Sequence, residues 1–359
     1  MPPSPIRIGI IGIGQIGRHH LETYRSIPGV EVVAVAGRDP QRSAQAAQET
    51  GVDWWSTDYH QLLAREDVDA VSICLHNHLH RPAAEAALRA GKHVYCEKPI
   101  AGTYADGLAM LTAAQTAGKH LAVQLSTLFS PEIKAARHAV DQGWLGHPYY
   151  AASTGFRRQG RPYVDGYGTS AFVQKSQAAG GALLDMGVYH IAALLYLLGN
   201  PAPVRISGCT AQETDMDAAR QRASGYDVEE FASGFVRMQG GLTLHIIEAW
   251  AAHLDTFGGS FILGSRGGLR LEPFSLFQSF GDLSLSASAD LDAFLYRQHT
   301  VRQQGAAYDG PQQHFIAVLR GEVPPLPTAE IALNTQRISD GIYLSQQLGR
   351  EIAVEEIPA

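Results

Sequence analysis

The chain is expected to join a doubly wound α/β domain with a parallel sheet to an α+β domain built on a large, mainly antiparallel, open-faced sheet. Three observations predict this. As far as about Gln124, continuous apolar runs alternate with Ala/Leu-rich helical segments, the rhythm of parallel strands covered on both faces. Beyond Pro201 that rhythm gives way to strand after strand, as in an antiparallel sheet. A length of 359 residues exceeds what one core usually organises, so two domains are expected, 1–126 and 127–359.

In the first domain the strand runs are 6–11, 30–36, 69–75, 93–96 and 120–124. Between them lie helices over 15–25, 41–49, 59–64, 81–90 and 103–117, the last two followed by Gly91 and Gly118 as C-caps. The second domain opens with a helix over 131–142, a strand over 148–156 and a long helix over 181–198. Strands follow over 204–209, 229–238, 242–250, 259–264 and 268–271, and helices over 314–320 and 328–348 close the chain.

Composition narrows the class of partner. The net charge is -7, with 28 Lys and Arg against 35 Asp and Glu and no basic block, so nothing draws nucleic acid or an anionic membrane. The opening Met1-Pro2-Pro3-Ser4-Pro5 lacks the charged start of a signal peptide. The longest uninterrupted apolar stretch, Ile191 to Leu198, is far short of the ~20 residues that span a bilayer. Cys74, Cys96 and Cys209 are odd in number and widely spaced, without a CxxC pair, as expected of reduced thiols in a cytoplasmic protein.

The first strand and first helix flank Gly12-Ile13-Gly14-Gln15-Ile16-Gly17. Gly12 permits the tight turn, Gly14 admits a pyrophosphate to the backbone, and Gly17 lets helix and strand pack closely. The helix N-terminus then offers N–H donors to phosphate, so the turn, with Gln15 and Ile16, predicts a dinucleotide. The second strand ends in Gly37 where an acidic residue would bind the ribose of NAD, and Arg38 follows. A guanidinium suits a 2′-phosphate, which tilts NAD(P) toward NADP. Asp39 keeps NAD open, although capping the helix after it is the simpler role.

Two further segments, Leu75-His76-Asn77-His78-Leu79-His80 and Val94-Tyr95-Cys96-Glu97-Lys98-Pro99, end strands at the edge where doubly wound sheets bind ligands. Together with Gly180-Gly181-Ala182-Leu183-Leu184-Asp185-Met186-Gly187-Val188-Tyr189-His190, they make the chain resemble the Gfo/Idh/MocA oxidoreductases along nearly its whole length, with a Rossmann domain first. The resemblance implies that Lys98 lies beside the nicotinamide and stabilises a developing alkoxide, with a cis peptide before Pro99. It implies that Leu75, Asn77, His80, Glu97 and Gln124 border the cofactor. It also places the acid/base group, commonly His, one turn beyond Asp185, where this chain has Tyr189. At about 100° per residue, Tyr189 lies roughly 40° from Asp185 on a regular helix and His190 about 140° away. Tyr189 is therefore the expected proton-transfer group and His190 the second candidate. Arg158, with Arg157 beside it, Tyr163 and Lys175 fall on a loop that borders the substrate pocket in similar proteins. His76, His78 and His80 alternate, but no metal is expected.

The expected reaction is reversible hydride transfer between the nicotinamide and a carbinol carbon of a sugar, glycoside or cyclitol, in a cleft between the domains. The alternatives are a cofactor-retaining glycosidase or lyase acting by transient oxidation, and a silent NADP-binding regulator. The apolar run 242–250 suggests a homodimer or homotetramer formed through the second domain's sheet.

Overall fold

A computed structural model describes residues 4–303 and 305–359. The chain divides into two compact units, the first comprising Met1–Ala101, Ala105–Gln124 and Gly305–Glu330, the second Gly102–Tyr104, Leu125–Gln304 and Ile331–Ala359.

The first unit runs β1 (Ile6–Ile11), α1 (Gln15–Ser26), β2 (Val30–Ala36), α2 (Pro40–Thr50), β3 (Trp55–Ser56), α3 (Tyr59–Leu63), β4 (Ala70–Ile73), α4 (His80–Arg89), β5 (His93–Cys96), α5 (Tyr104–Ala117) and β6 (Leu121–Val123). Its six strands are ordered β3-β2-β1-β4-β5-β6, all parallel. Strand order therefore reverses between β1 and β4, opening a crevice at their carboxyl ends. Ile8, Ile10, Ile11, Val71, Ile73 and Val94 are buried, as a sheet covered on both faces requires. Only β3 escapes the sequence pattern, because two residues have no periodicity to read.

The second unit contains α6 (Pro131–Asp141), β7 (Pro148–Phe156), α7 (Lys175–Ala178), α8 (Val188–Leu197), β8 (Pro203–Ala211), α9 (Ala218–Ser224), β9 (Phe231–Met238), β10 (Thr243–Ala249), β11 (Phe261–Gly264), β12 (Gly268–Arg270), β13 (Ser275–Phe280), β14 (Leu283–Ser288) and α10 (Leu291–Thr300). After α11 (Pro311–Leu319), α12 (Thr328–Leu348) and β15 (Ile352–Ala353) complete it. Nine strands form one sheet, β14-β13-β12-β11-β7-β10-β9-β8-β15. All described pairings are antiparallel except β10 with β7. One face is covered by helices: Ile342 of α12 lies where Cβ atoms at Gly208 and Gly234 would stand, 2.8 and 2.5 Å away. The β13–β14 hairpin turns through Gly281-Asp282 and is mostly exposed, so its Ser-rich strands carry no buried face to mark them in sequence.

Two departures from expectation bear on the site. The helix expected over 181–198 is π-helical at Leu183–Gly187 and α-helical only from Val188. The wider stretch Lys175–Leu197 has the length and apolar composition of a membrane span, although the longest uninterrupted apolar run does not, and it is mostly buried in the fold. The second departure is that 305–330 belongs to the first unit, not to the second as a break at 126 implies. Its helix α11 inserts Phe315 and Ile316 into the core that holds Tyr24 and Tyr95, and apolar burial outweighs chain order.

Candidate active site

In the first unit the glycine turn is built as its spacing requires. Gly12 has φ +95°, and a Cβ there would stand 2.3 Å from the Cys74 carbonyl oxygen. A Cβ on Gly17 would lie 1.8 Å from the Gly12 oxygen, whereas one on Gly14 would meet no protein atom within 4 Å. No described side chain caps α1, so its first N–H groups face an open cradle suited to phosphate. The residues present thus fit a dinucleotide. A Cβ on Gly37 would stand 2.8 Å from Ile13 Cγ2, which leaves no room there for an acidic side chain without repacking. Asp39 Oδ1 accepts the Gln41 and Arg42 N–H groups at 3.0 and 3.1 Å, making Asp39 the N-cap of α2. Arg38 is exposed.

The Glu97-Lys98-Pro99 segment follows β5, with a cis peptide between Lys98 and Pro99. Glu97 Oε2 accepts the Lys98 N–H at 3.0 Å, and Oε1 lies 2.8 Å from Nε2 of the fully buried His20. Burial opposes ionisation of Glu97, but His20 and the Lys98 charge outweigh it and hold the carboxyl below the usual range. Tyr95 donates its hydroxyl to Gln124 Oε1. His80, expected beside the cofactor, is fully buried, with Nδ1 2.9 Å from the Pro99 oxygen and Nε2 3.1 Å from that of Leu75. Leu75 and Asn77 are partly exposed beside it, and Gln15 and Ile16 are exposed at the start of α1.

In the second unit the chemistry gathers on one face of β10. Glu248 and Trp250 alternate along that chain and so point the same way. The Trp250 indole N–H donates to Asp185 Oδ2 at 3.0 Å, while His190 Nδ1 lies 3.0 Å from Oε2 of the fully buried Glu248. Ser153 adds a hydroxyl donor to Glu248 at 3.1 Å. Asp185 and His190 thus dock on the same strand face, which a regular helical wheel denies. The π turn supplies the reason, because its i→i+5 bonding brings residues five apart toward alignment. Glu229 fixes the turn's start by accepting the Gly181 and Leu183 N–H groups at 2.9 and 3.1 Å. Burial opposes protonation of His190, but the charge and hydrogen bond of Glu248 prevail and raise its pKa. Tyr189 is partly buried, and its carbonyl accepts from Thr127 Oγ1 at 3.4 Å.

The loop candidates fare unevenly. Arg157, rather than Arg158, approaches Asp185, its Nη1 lying 3.7 Å from Oδ2. The Arg157 guanidinium also stacks over Tyr167 at 5.3 Å. Arg158 Nε donates outward to the Leu254 carbonyl at 3.2 Å. Tyr163 lies under the Arg220 guanidinium at 4.8 Å, and Lys175 is exposed at the start of α7. Sequence reasoning missed Glu248, Trp250 and Glu229, and it singled out Arg158 rather than its neighbour Arg157. Glu248 carried a signal, being a lone acid inside an apolar strand run, since carboxylates are almost never fully buried unless paired. Among the described residues, no group of three or more His, Cys, Asp or Glu is placed to hold a metal ion.

Residues 6–125 match the oxidoreductase family model with an NAD-binding Rossmann fold, and residues 133–270 match the GFO/IDH/MocA C-terminal domain. The chain belongs to the GFO/IDH/MocA oxidoreductase family. It is 27% identical to D-glucoside 3-dehydrogenase of Escherichia coli over 98% of both chains. It is 31% identical to 1,5-anhydro-D-fructose reductase of Ensifer adhaerens, over 70% of this chain and 72% of the relative. Levoglucosan dehydrogenase, solved in complex with NADH and levoglucosan, superposes with a TM-score of 0.78 at 21% identity, covering 98% of this chain and all of that one (100%). At that identity the likeness establishes the shared fold. In this family member the parallel-sheet unit is the NAD(P)-binding Rossmann domain.

Proposed function

We propose that this GFO/IDH/MocA protein is an NAD(P)-dependent dehydrogenase or reductase acting on a carbinol carbon of a sugar, glycoside or cyclitol. The observation that carries the reading is the half-buried His190 paired with the fully buried Glu248 beside Asp185 on one strand face, an acid/base group with its orienting carboxylate. The activities named for the two curated relatives support the substrate class. When bound, the nicotinamide exchanges a hydride at its C4.

The chain's residues handle the proton and the charge. With Nδ1 turned to Glu248, His190 has Nε2 available to take the hydroxyl proton as the carbinol C–H leaves as hydride. Glu248 then stabilises the imidazolium formed. The Lys98 ammonium donates to the reacting oxygen and stabilises developing alkoxide. Asp185, with Oδ2 held by Trp250, lies on the strand face that also carries His190, and binds a substrate hydroxyl. In this reading His190 replaces Tyr189 as the proton-transfer group.

The preferred cofactor is NADP. The supports are Arg38, the capping duty of Asp39 and the space at Gly37 already filled by Ile13. The protein acts as a homo-oligomer through the face of its nine-stranded sheet opposite α12. That face carries the stacked pair Tyr150–Phe261 and exposed Phe235 and Leu263. A reducing cytoplasm suits the three free cysteines.

The test is a panel of sugars, glycosides and inositols assayed with NAD and NADP separately, following reduced cofactor. Turnover with at least one polyol is expected, and Lys98→Met should fold and bind cofactor without turnover. Substrate consumed without accumulation of reduced cofactor would instead identify a transient-oxidation lyase. Cofactor binding with no turnover of any polyol would identify a silent regulator.

A further inference from the structure

Two buried histidines serve none of the steps above. His20 and His80 are fully inaccessible to solvent, and each is committed to a neighbour of Lys98. His20 sits on α1, six residues after Gly14. Its Nδ1 is 2.8 Å from the Ser72 hydroxyl, its Nε2 is 2.8 Å from Glu97 Oε1, and its ring packs edge-on against Tyr95 at 5.6 Å. With Nε2 protonated, Nδ1 accepts from Ser72, and Nε2 meets the Glu97 carboxylate as a close electrostatic contact rather than an aligned hydrogen bond. The other oxygen of Glu97 accepts the Lys98 backbone N–H at 3.0 Å. On the far side, His80 opens α4 with Nδ1 2.9 Å from the Pro99 oxygen and Nε2 3.1 Å from that of Leu75; burial lowers its pKa, and the neutral ring donates to one of the two.

We infer that His20 and His80 are positioning residues that brace the Lys98 backbone from both sides, and that His20 links the helix seating the dinucleotide to the lysine that holds the reacting oxygen. This rests on the role proposed for Lys98. The physical argument is one of cost. A buried polar pair desolvates both partners, and apolar groups of the same size are often as stable or more so. The imidazole between Ser72 and Glu97 therefore adds no stability that a wholly apolar pair would lack, although removing it alone strands the Glu97 carboxylate. What it does add is direction: it fixes the Glu97 carboxylate, which fixes the Lys98 amide, and a misplacement of about 1 Å at a reacting group costs on the order of 100-fold in rate.

The experiment compares His20→Leu, His20→Gln and His20→Asn with Lys98→Met in the full-length protein, measuring kcat, substrate KM, NAD(P)H Kd and Tm. His20→Leu is expected to lower kcat by roughly 10- to 100-fold with cofactor Kd unchanged, and to lower Tm because Glu97 loses its partner. Glutamine places an amide N–H where Nε2 stands and should restore most of kcat. Asparagine reaches only the Ser72 side and should not. Full kcat in His20→Leu, with Lys98→Met inactive, overturns the brace and leaves the Lys98 role standing. Full activity in Lys98→Met overturns both. If His20→Leu does not fold, the Gln and Asn variants decide: equal kcat in the two, or losses confined to cofactor Kd, marks His20 as packing alone.

Discussion

His190 Nδ1 lies 3.0 Å from a Glu248 carboxylate that is completely buried. A buried carboxylate is tolerated when it is paired and hydrogen-bonded, and Glu248 has both the imidazole and the Ser153 hydroxyl. The pair has a direction: burial works against charge on His190, Glu248 works for it, and the net pKa lies above the ordinary value of 6.5. Its contribution to stability is therefore full below the unfolded value and is lost as pH rises through the raised folded one.

Glu248→Gln should move the His190 titration to lower pH, because the two largest effects opposing burial, the charge and the hydrogen bond of Glu248, are then gone. The acid limb of the kcat/KM profile for alcohol oxidation should move the same way, since the base must be neutral to accept a proton. NMR titration of the imidazole together with the pH–rate profile checks this. An unmoved acid limb would remove His190 from proton transfer.

The assignment between adjacent side chains is separable. His190→Asn should lower kcat by about 100-fold or more, within the usual range for losing a general base. Tyr189→Phe should cost far less. Stopped-flow turnover with both variants, each first shown to bind cofactor, settles the order, and the reverse ranking returns the proton to Tyr189.

The placement of His190 shows where sequence stops being legible. The parallel sheet was readable because runs such as Ile6–Ile11 and Val30–Ala36 are buried on both faces and need no partner to be recognised. The glycine turn was readable because each glycine answers a local steric demand. A π turn leaves no comparable mark: one extra residue in the turn at Leu183–Gly187 changes which side chains align, while apolar composition stays helical. Arg157 and Glu248 act through partners far along the chain, and spacing carries no information about those. For the same reason, α11 looked like part of the second domain until Phe315 and Ile316 were seen in the core around Tyr24.

Gly14 and Gly17 should separate cofactor binding from folding. A methyl at Gly14 meets no protein atom within 4 Å, and φ of -73° there suits alanine. Gly14→Ala should keep its Tm yet weaken NAD(P)H by tenfold or more, about 1.4 kcal/mol, because the methyl enters the phosphate cradle. Gly17→Ala drives a Cβ to 1.8 Å from the Gly12 oxygen and should lose stability as well, by about 1–3 kcal/mol. Thermal melts alongside cofactor titrations distinguish the two. A Gly14→Ala protein that binds normally would place the phosphates elsewhere.

Arg161 offers a test of stability away from the reacting groups. It and Glu230 are each 2% exposed, with Arg161 Nη1 3.0 Å from Oε2, and Arg161 also reaches Asp165 and the carbonyls of Thr214 and Asp215. Removing one partner strands the other's charge, so Arg161→Met should destabilise by about 3–5 kcal/mol. Denaturant unfolding measures it, and a loss below about 1 kcal/mol would mean that water reaches Glu230 and solvates it, as at an exposed pair.

Arg38 and Asp39 should behave oppositely from what their order suggests. An acidic residue after the second strand is usually read as the ribose ligand of NAD, but the Asp39 carboxylate already accepts two backbone N–H groups at the start of α2. Asp39→Ala should therefore cost about 1 kcal/mol of stability, as loss of an N-cap does, and leave NADH affinity unchanged. Arg38→Ala should leave stability alone and weaken NADPH by tenfold or more, since hydrogen bonds to charged groups contribute about 1.5–3 kcal/mol, with NADH untouched. Titrating both reduced cofactors against both variants gives four affinities. If Asp39→Ala loses NADH while Arg38→Ala treats the two cofactors alike, the protein is built for NAD and the cap is secondary.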